Sequence, residues 1–202
     1  MAKNRLNPAS PLVLNAIELS RSPGSVWQHE RTVPAPDGLG NMVIGVPPQA
    51  DIDLDLLLTA VSEGVLLTGT ARATAVGECV RCLDEVTTEL SVQLEQFYLY
   101  PAEAAKAEAE AKAKAKSKGK DDDDFEDDLL IIDGELLDLE PALRDAVVPS
   151  LPLLPLCQED CPGLCGVCGV RLADNPDHSH EFADPRWEAL RGLGSDSASE
   201  ES

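Results

Sequence analysis

Between Ile52 and Val76 apolar and polar residues take turns with a period of two. IDLDLLLTA runs to Ala60, SEG at Ser62 to Gly64 supplies a turn, and VLLTGTARATAV returns with Leu67, Gly69, Ala71, Ala73 and Ala75 on one side. Successive strand residues point to opposite faces, so this pattern predicts an antiparallel hairpin with one buried face. A third stretch, Glu85 to Tyr98, alternates Val86, Thr88, Leu90, Val92, Leu94 and Gln96 and extends the hairpin into a meander. Cys79 and Cys82 fall in GECVRC, at the corner between the second and third strands.

Upstream the signals are shorter. Leu12 to Ser20 suits a short strand or docking turn, broken by Pro23 and Gly24, and Val26 to Val33 and Met42 to Val46 read as extended pieces on either side of PAPDGLGN. Downstream, residues 100–128 change character to an Ala/Glu/Lys run followed by KGKDDDDFEDD. The run has helix propensity but no apolar stripe, and the aspartates repel one another, which predicts a disordered insert. Order resumes at Leu129 with a short strand, the Asp133-Gly134 turn, an N-cap near Asp138 and a helix from about Glu140 to Val148, which Pro149 ends.

The predicted fold class is therefore α+β: an antiparallel β-meander or barrel-like core, one or two short helices and a Cys-rich zinc-binding C-terminal segment. Residues 1–11 form a disordered arm, 12–99 the β-rich core, 100–128 the insert, and 129–156 a strand and helix that complete the core. Residues 157–181 are the Cys/His metal-binding segment, 182–193 a short helix carrying Trp187, Leu190 and Leu193, and 194–202 a disordered acidic tail.

Charge narrows the function. The formal net charge is -21 over 202 residues, a field that repels phosphates and favours a basic protein partner, although acidity also serves solubility alone. No apolar run reaches the ~18 residues of a membrane span, and the N-terminal residues lack the pattern of a signal peptide. A cytoplasmic protein is expected, with reduced cysteines available to metal. No phosphate-binding loop, nucleophile elbow or HExxH motif occurs, so no catalytic residue is assigned and no small-molecule substrate is expected.

All six cysteines and two of the three histidines lie in Cys-x-x-Cys at Cys79/Cys82 and in CQEDCPGLCGVCGVRLADNPDHSH from Cys157 to His180. Cys79, Cys82, Cys157, Cys161, Cys165, Cys168, His178 and His180 make eight soft or borderline donors, enough for two tetrahedral zinc sites. One division groups Cys79, Cys82, Cys157 and Cys161, leaving Cys165, Cys168, His178 and His180 as a knuckle closed by two histidines. A second joins Cys79 and Cys82 to Cys165 and Cys168; a third makes one local site of Cys157, Cys161, Cys165 and Cys168. Histidines in a loop as polar as DNPDHSHE are also often merely exposed. The expected cofactor is thus one or two structural zincs, and His29 is structural or a surface residue.

GECVRCLDEV, the run LPLLPLCQEDCPGLCGVCGVRL and the closing DPRWEAL resemble the YceD family, most closely its actinobacterial branch, with TVPAPDGLG, VIGVP and a DHSH in place of Cys-x-Cys. Gly166 departs from the proline frequent there. The resemblance implies a part in accumulation of large-subunit ribosomal RNA without catalytic activity, and a gene often found beside that of a small zinc-binding large-subunit ribosomal protein. Other members lack several of the cysteines, which implies a structural zinc. The function expected is a non-enzymatic ribosome-assembly factor that engages a basic large-subunit ribosomal protein or a pre-ribosomal particle, with any RNA contact indirect. The alternatives are a direct RNA-binding zinc protein, with Arg171, Arg186 and Arg191 as local cations, and a redox or metal-dependent enzyme.

Overall fold

The structure is a computed structural model that describes residues 6–107, 109 and 129–180. Most of the insert expected at 100–128, the helix expected at 182–193 and the tail expected at 194–202 lie outside the described residues, as does the start of the arm expected at 1–11.

Among the described residues eight strands and two helices follow in order: β1 (Val13–Asn15), β2 (Val26–Pro34), β3 (Leu39–Gly40), β4 (Ile44–Val46), β5 (Asp51–Ala60), β6 (Gly64–Glu78), β7 (Glu85–Leu99), α1 (residues 101–107), β8 (Leu136–Asp138) and α2 (Glu140–Ser150). The long β6 is the spine. It pairs along its whole length with β7, from Gly64↔Leu99 to Glu78↔Glu85. On its other side it pairs first with β5 and then, near its end, with β4. The sheet is antiparallel and open, with β2 outside β5 and β3 outside β4, while β1 and β8 form a separate two-stranded ribbon.

The predicted period of two sets the core. Ile52, Leu54, Leu56, Leu58 and Ala60 of β5 are buried, as are Leu67, Ala71 and Ala75 of β6 and Leu90, Val92 and Leu94 of β7. Leu139, Leu143 and Val147 of the α2 region join the same cluster with Leu14 and Leu137 from the β1–β8 ribbon. Aromatics contribute one central side chain, Tyr98. Its ring is buried, and its hydroxyl donates to the Asp138 carbonyl at 2.7 Å, tying the end of β7 to the start of α2.

Two boundaries differ from the sequence expectation. Residues 101–107 are helical, not part of a disordered insert, because the amides of Glu103 and Ala104 bond back to the Tyr100 carbonyl and Ala104 is buried. Proline does not end α2 at residue 149: the helix runs to Ser150 with Pro149 inside it. The amide that Pro149 lacks would have served Asp145, an exposed residue, while the Leu151 amide and the Ser150 hydroxyl bond the Val148 and Val147 carbonyls. The helix N-cap is Leu139; Asp138 still serves that end, its carboxylate accepting from the Glu140 amide at 3.0 Å.

Candidate metal centre

After β6 the chain turns sharply through Cys79-Val80-Arg81-Cys82-Leu83-Asp84 into β7. The Leu83 amide donates to the Cys79 carbonyl at 2.9 Å and the Cys79 amide to the Asp84 carbonyl at 2.7 Å. The turn is repeated at Cys165-Gly-Val-Cys168-Gly169-Val170, where the Gly169 amide donates to the Cys165 carbonyl and the Cys165 amide to the Val170 carbonyl, both at 2.8 Å. In each turn the residue after the second cysteine has a left-handed backbone, Leu83 at φ 64° and Gly169 at φ 73°. Two copies of one knuckle thus present two Cys-x-x-Cys pairs.

Each pair meets a different set of partners. Cys79, Cys82, Cys157 and Cys161 come together, as do Cys165, Cys168, His178 and His180, with the donor atoms of each set within 4.8 Å of one another. The structure therefore brings together all eight residues singled out from sequence, grouped as in the first of the three divisions considered. In the first set Cys79 Sγ lies 3.8 Å from Cys161 Sγ, and Cys82 Sγ lies 3.6 Å from Cys157 Sγ. Sulfurs placed tetrahedrally at about 2.3 Å from one ion stand about 3.8 Å apart, so the spacing suits a thiolate-bound metal. In the second set His178 Nε2 and His180 Nε2 each lie 3.2 Å from Cys168 Sγ and 2.9 Å from one another, edges tighter than a bound ion would leave. Each set could hold one metal ion.

The local electrostatics favour charge on one thiol per knuckle. Desolvation pushes the Cys79 thiol up, yet backbone hydrogen bonds from Cys157, Arg81 and Cys82 outweigh it and bring it down to about 6. Backbone hydrogen bonds from Cys168 and Val167 do the same for Cys165, also to about 6, helped by His178. The Asp84 backbone pulls Cys82 down, but desolvation and the thiols of Cys79, Cys157 and Cys161 push it well above the ordinary thiol range. Cys157 gains from its bond to Cys82 but is raised on balance by Cys161 and desolvation. Once a metal takes the place of these thiol protons, all four sulfurs can be anionic together.

The two sets are parts of one structure. The Val80 amide donates to the Pro155 carbonyl at 3.0 Å, the Leu164 amide to the Arg81 carbonyl at 3.0 Å, and the Arg81 guanidinium to the Cys161 carbonyl at 2.9 Å. Gly163 makes this approach possible: at φ 79°, a Cβ there would lie 2.9 Å from the Arg81 carbonyl oxygen. Arg171, just past the second knuckle, pairs with Asp84, just past the first. Sequence reasoning missed this ion pair, and also missed that Leu83 occupies the place glycine takes at Gly169; the offset from each Cys-x-x-Cys was the available signal. His29 lies apart, half-buried on β2 with its ring 4.8 Å from that of Trp27.

The paired knuckles and the segment feeding them fall inside a region recognised in other proteins. The sequence profile of the family described as "Large ribosomal RNA subunit accumulation protein YceD" matches residues 67–194. The chain belongs to the YceD family. A relative from Mycobacterium tuberculosis strain H37Rv is 41% identical over 182 residues, covering 90% of this chain and 81% of its own. One from Mycobacterium leprae is 38% identical over 186 residues, covering 91% and 78%. Both bear the name "uncharacterized protein", in keeping with an actinobacterial branch of the YceD family. No solved structure matches the chain. Among the described residues no helix is long and apolar enough to cross a membrane.

Proposed function

We propose that this member of the YceD family is a non-enzymatic, cytoplasmic assembly factor for the large ribosomal subunit, which engages a basic ribosomal protein or pre-ribosomal particle through acidic surfaces held in place by two structural zinc ions. The observation that carries this reading is the convergence of four protein donors in each set. Four protein donors around one ion would leave no position for water or substrate, which supports structural rather than catalytic zinc. Zinc suits thiolate and imidazole donors and tolerates both a set of four thiolates and a set of two thiolates with two imidazoles.

The nature of the partner follows from charge. Neighbouring strands place Glu30 beside Asp55, and Asp51 and Asp53 follow along β5 on the same exposed face; Glu89 and Glu95 stand out from β7. Arg72, opposite Asp53, is a cation among them. With a formal net charge of -21, such a face attracts Lys- and Arg-rich protein and repels a phosphate backbone. Direct RNA binding by the knuckles is the weaker reading because, among the described residues, the arginines beside them are already engaged, Arg171 with Asp84 and Arg81 with the Cys161 carbonyl.

The test is sedimentation of tagged full-length protein in cell lysate at rising salt. Co-migration with large-subunit precursors at low salt, lost at high salt, is expected. Free sedimentation at every salt concentration would overturn the reading.

A further inference from the structure

Three segments converge at the end of the sheet that carries the first knuckle. The Glu78 amide donates to the Val43 carbonyl at 3.3 Å, the Val80 amide to the Pro155 carbonyl at 3.0 Å, and the Asn41 side-chain amide to the Pro152 carbonyl at 3.4 Å. These bonds collect Met42, Val43, Val80, Leu153 and Leu154 at one end of the molecule, and all five are exposed. Met42, Leu153 and Leu154 stand out furthest, at 102%, 81% and 71% of full exposure. Covering side chains of this size removes apolar surface from water, and clustered exposed aliphatics mark interaction sites more often than single ones do. Pro152 and Pro155 bracket the two leucines, and Pro155 restricts the backbone of Leu154 before it.

The same end carries an electrostatic conflict. The β6–β7 register sets Glu78 directly opposite Glu85, both exposed, and among the described residues neither makes an ion pair. Like charges directly opposite across a strand pair are destabilising. A cation arriving from outside would remove that repulsion while its apolar neighbours covered the leucines. A second copy of this chain would instead bring the same carboxylates and the same net charge against them, and a phosphate backbone would be repelled.

We infer that this knuckle-end surface docks a segment of a partner protein in which aliphatic or aromatic residues are flanked by Lys and Arg. The inference rests on the reading that the protein engages a basic partner, and it adds where that partner is gripped. The aliphatics supply the anchor and Glu78 and Glu85 its rim. The surface is continuous in sequence with the first donor set, since Val80 lies between Cys79 and Cys82 and Leu153 and Leu154 closely precede Cys157.

The test compares immobilised full-length protein with a Met42→Ser/Leu153→Ser/Leu154→Ser variant and a Glu78→Gln/Glu85→Gln variant. The probe is the protein fraction extracted from purified large ribosomal subunits, and metal content and thermal unfolding verify each fold. Wild type is expected to retain a basic protein, the serine variant to retain about tenfold less, and the glutamine variant to release it at lower salt. Equal retention by wild type and serine variant would overturn the inference while leaving the assembly-factor reading standing. No retention by wild type would overturn the inference and leave the assembly-factor reading to the sedimentation test, since the extracted fraction holds no pre-ribosomal particle. A wild-type dimer made monomeric by the serine substitutions would assign the surface to self-association and overturn the inference.

Discussion

Leu83 and Gly169 occupy the same place in two copies of one turn. Each follows the second cysteine of a Cys-x-x-Cys, each donates its amide to the carbonyl of the first cysteine, and each is left-handed, at φ 64° and φ 73°. Glycine adopts that conformation without penalty, whereas a side chain there costs roughly 1–2 kcal/mol. Leu83→Gly should therefore stabilise the protein by about 1 kcal/mol once the extra freedom of glycine in the unfolded chain is subtracted. The leucine is 60% exposed, so little burial is lost. Chemical denaturation of the metal-loaded protein checks this, with a rise in midpoint at unchanged slope as the expected outcome.

Metal binding at the first set should release protons in a predictable way. Before metal binds, Cys79 is held at about 6 and is a thiolate at neutral pH, while Cys82 and Cys157 are raised and keep their protons. The ion must displace the latter, so affinity rises with pH, and it falls as pH drops through about 6, where Cys79 too becomes protonated. Calorimetric titration of metal-free protein with zinc, in buffers of differing ionisation enthalpy at neutral pH, should show net proton release. Release that vanishes at neutral pH would mean the whole set is already ionised.

The Arg171–Asp84 pair joins the two knuckles but lies at the surface, its side chains 48% and 41% exposed. Exposed ion pairs contribute roughly 0.2–1 kcal/mol, and the backbone bonds from Leu164 and Val80 hold the same junction independently. Arg171→Ala should accordingly lower stability by no more than about 1 kcal/mol and leave the metal content unchanged. Thermal unfolding and metal analysis of the variant measure both.

The parts of this structure that were legible in sequence are those governed by local rules. The alternation from Ile52 to Val76 and from Glu85 to Tyr98 predicted the β5–β6–β7 meander, and the cysteine spacing predicted the metal segment. What escaped was decided by distant contacts. Residues 101–107 read as an unsupported Ala/Lys run because nothing local shows that Ala104 will be buried. Pairing of β1 with β8 joins Val13 to Asp138, a match with no local signature. Spacing alone allows Cys79 and Cys82 to close with either later pair; the Val80–Pro155 and Leu164–Arg81 backbone bonds, which fix where each segment crosses the β6–β7 corner, set which donors come together.

That division is the centre of the account, and metal analysis of the Cys79→Ser/Cys161→Ser variant, beside wild type and without chelator, tests it most directly. With Cys79 and Cys161 in one set and Cys165, Cys168, His178 and His180 in the other, wild type should carry two equivalents and the variant one, and cobalt substituted into the remaining site should show a mixed sulfur and nitrogen ligand field. A folded variant that loses both metals, as it would were Cys79 and Cys161 ligands of different ions, or a wild type that binds one or none, would contradict it.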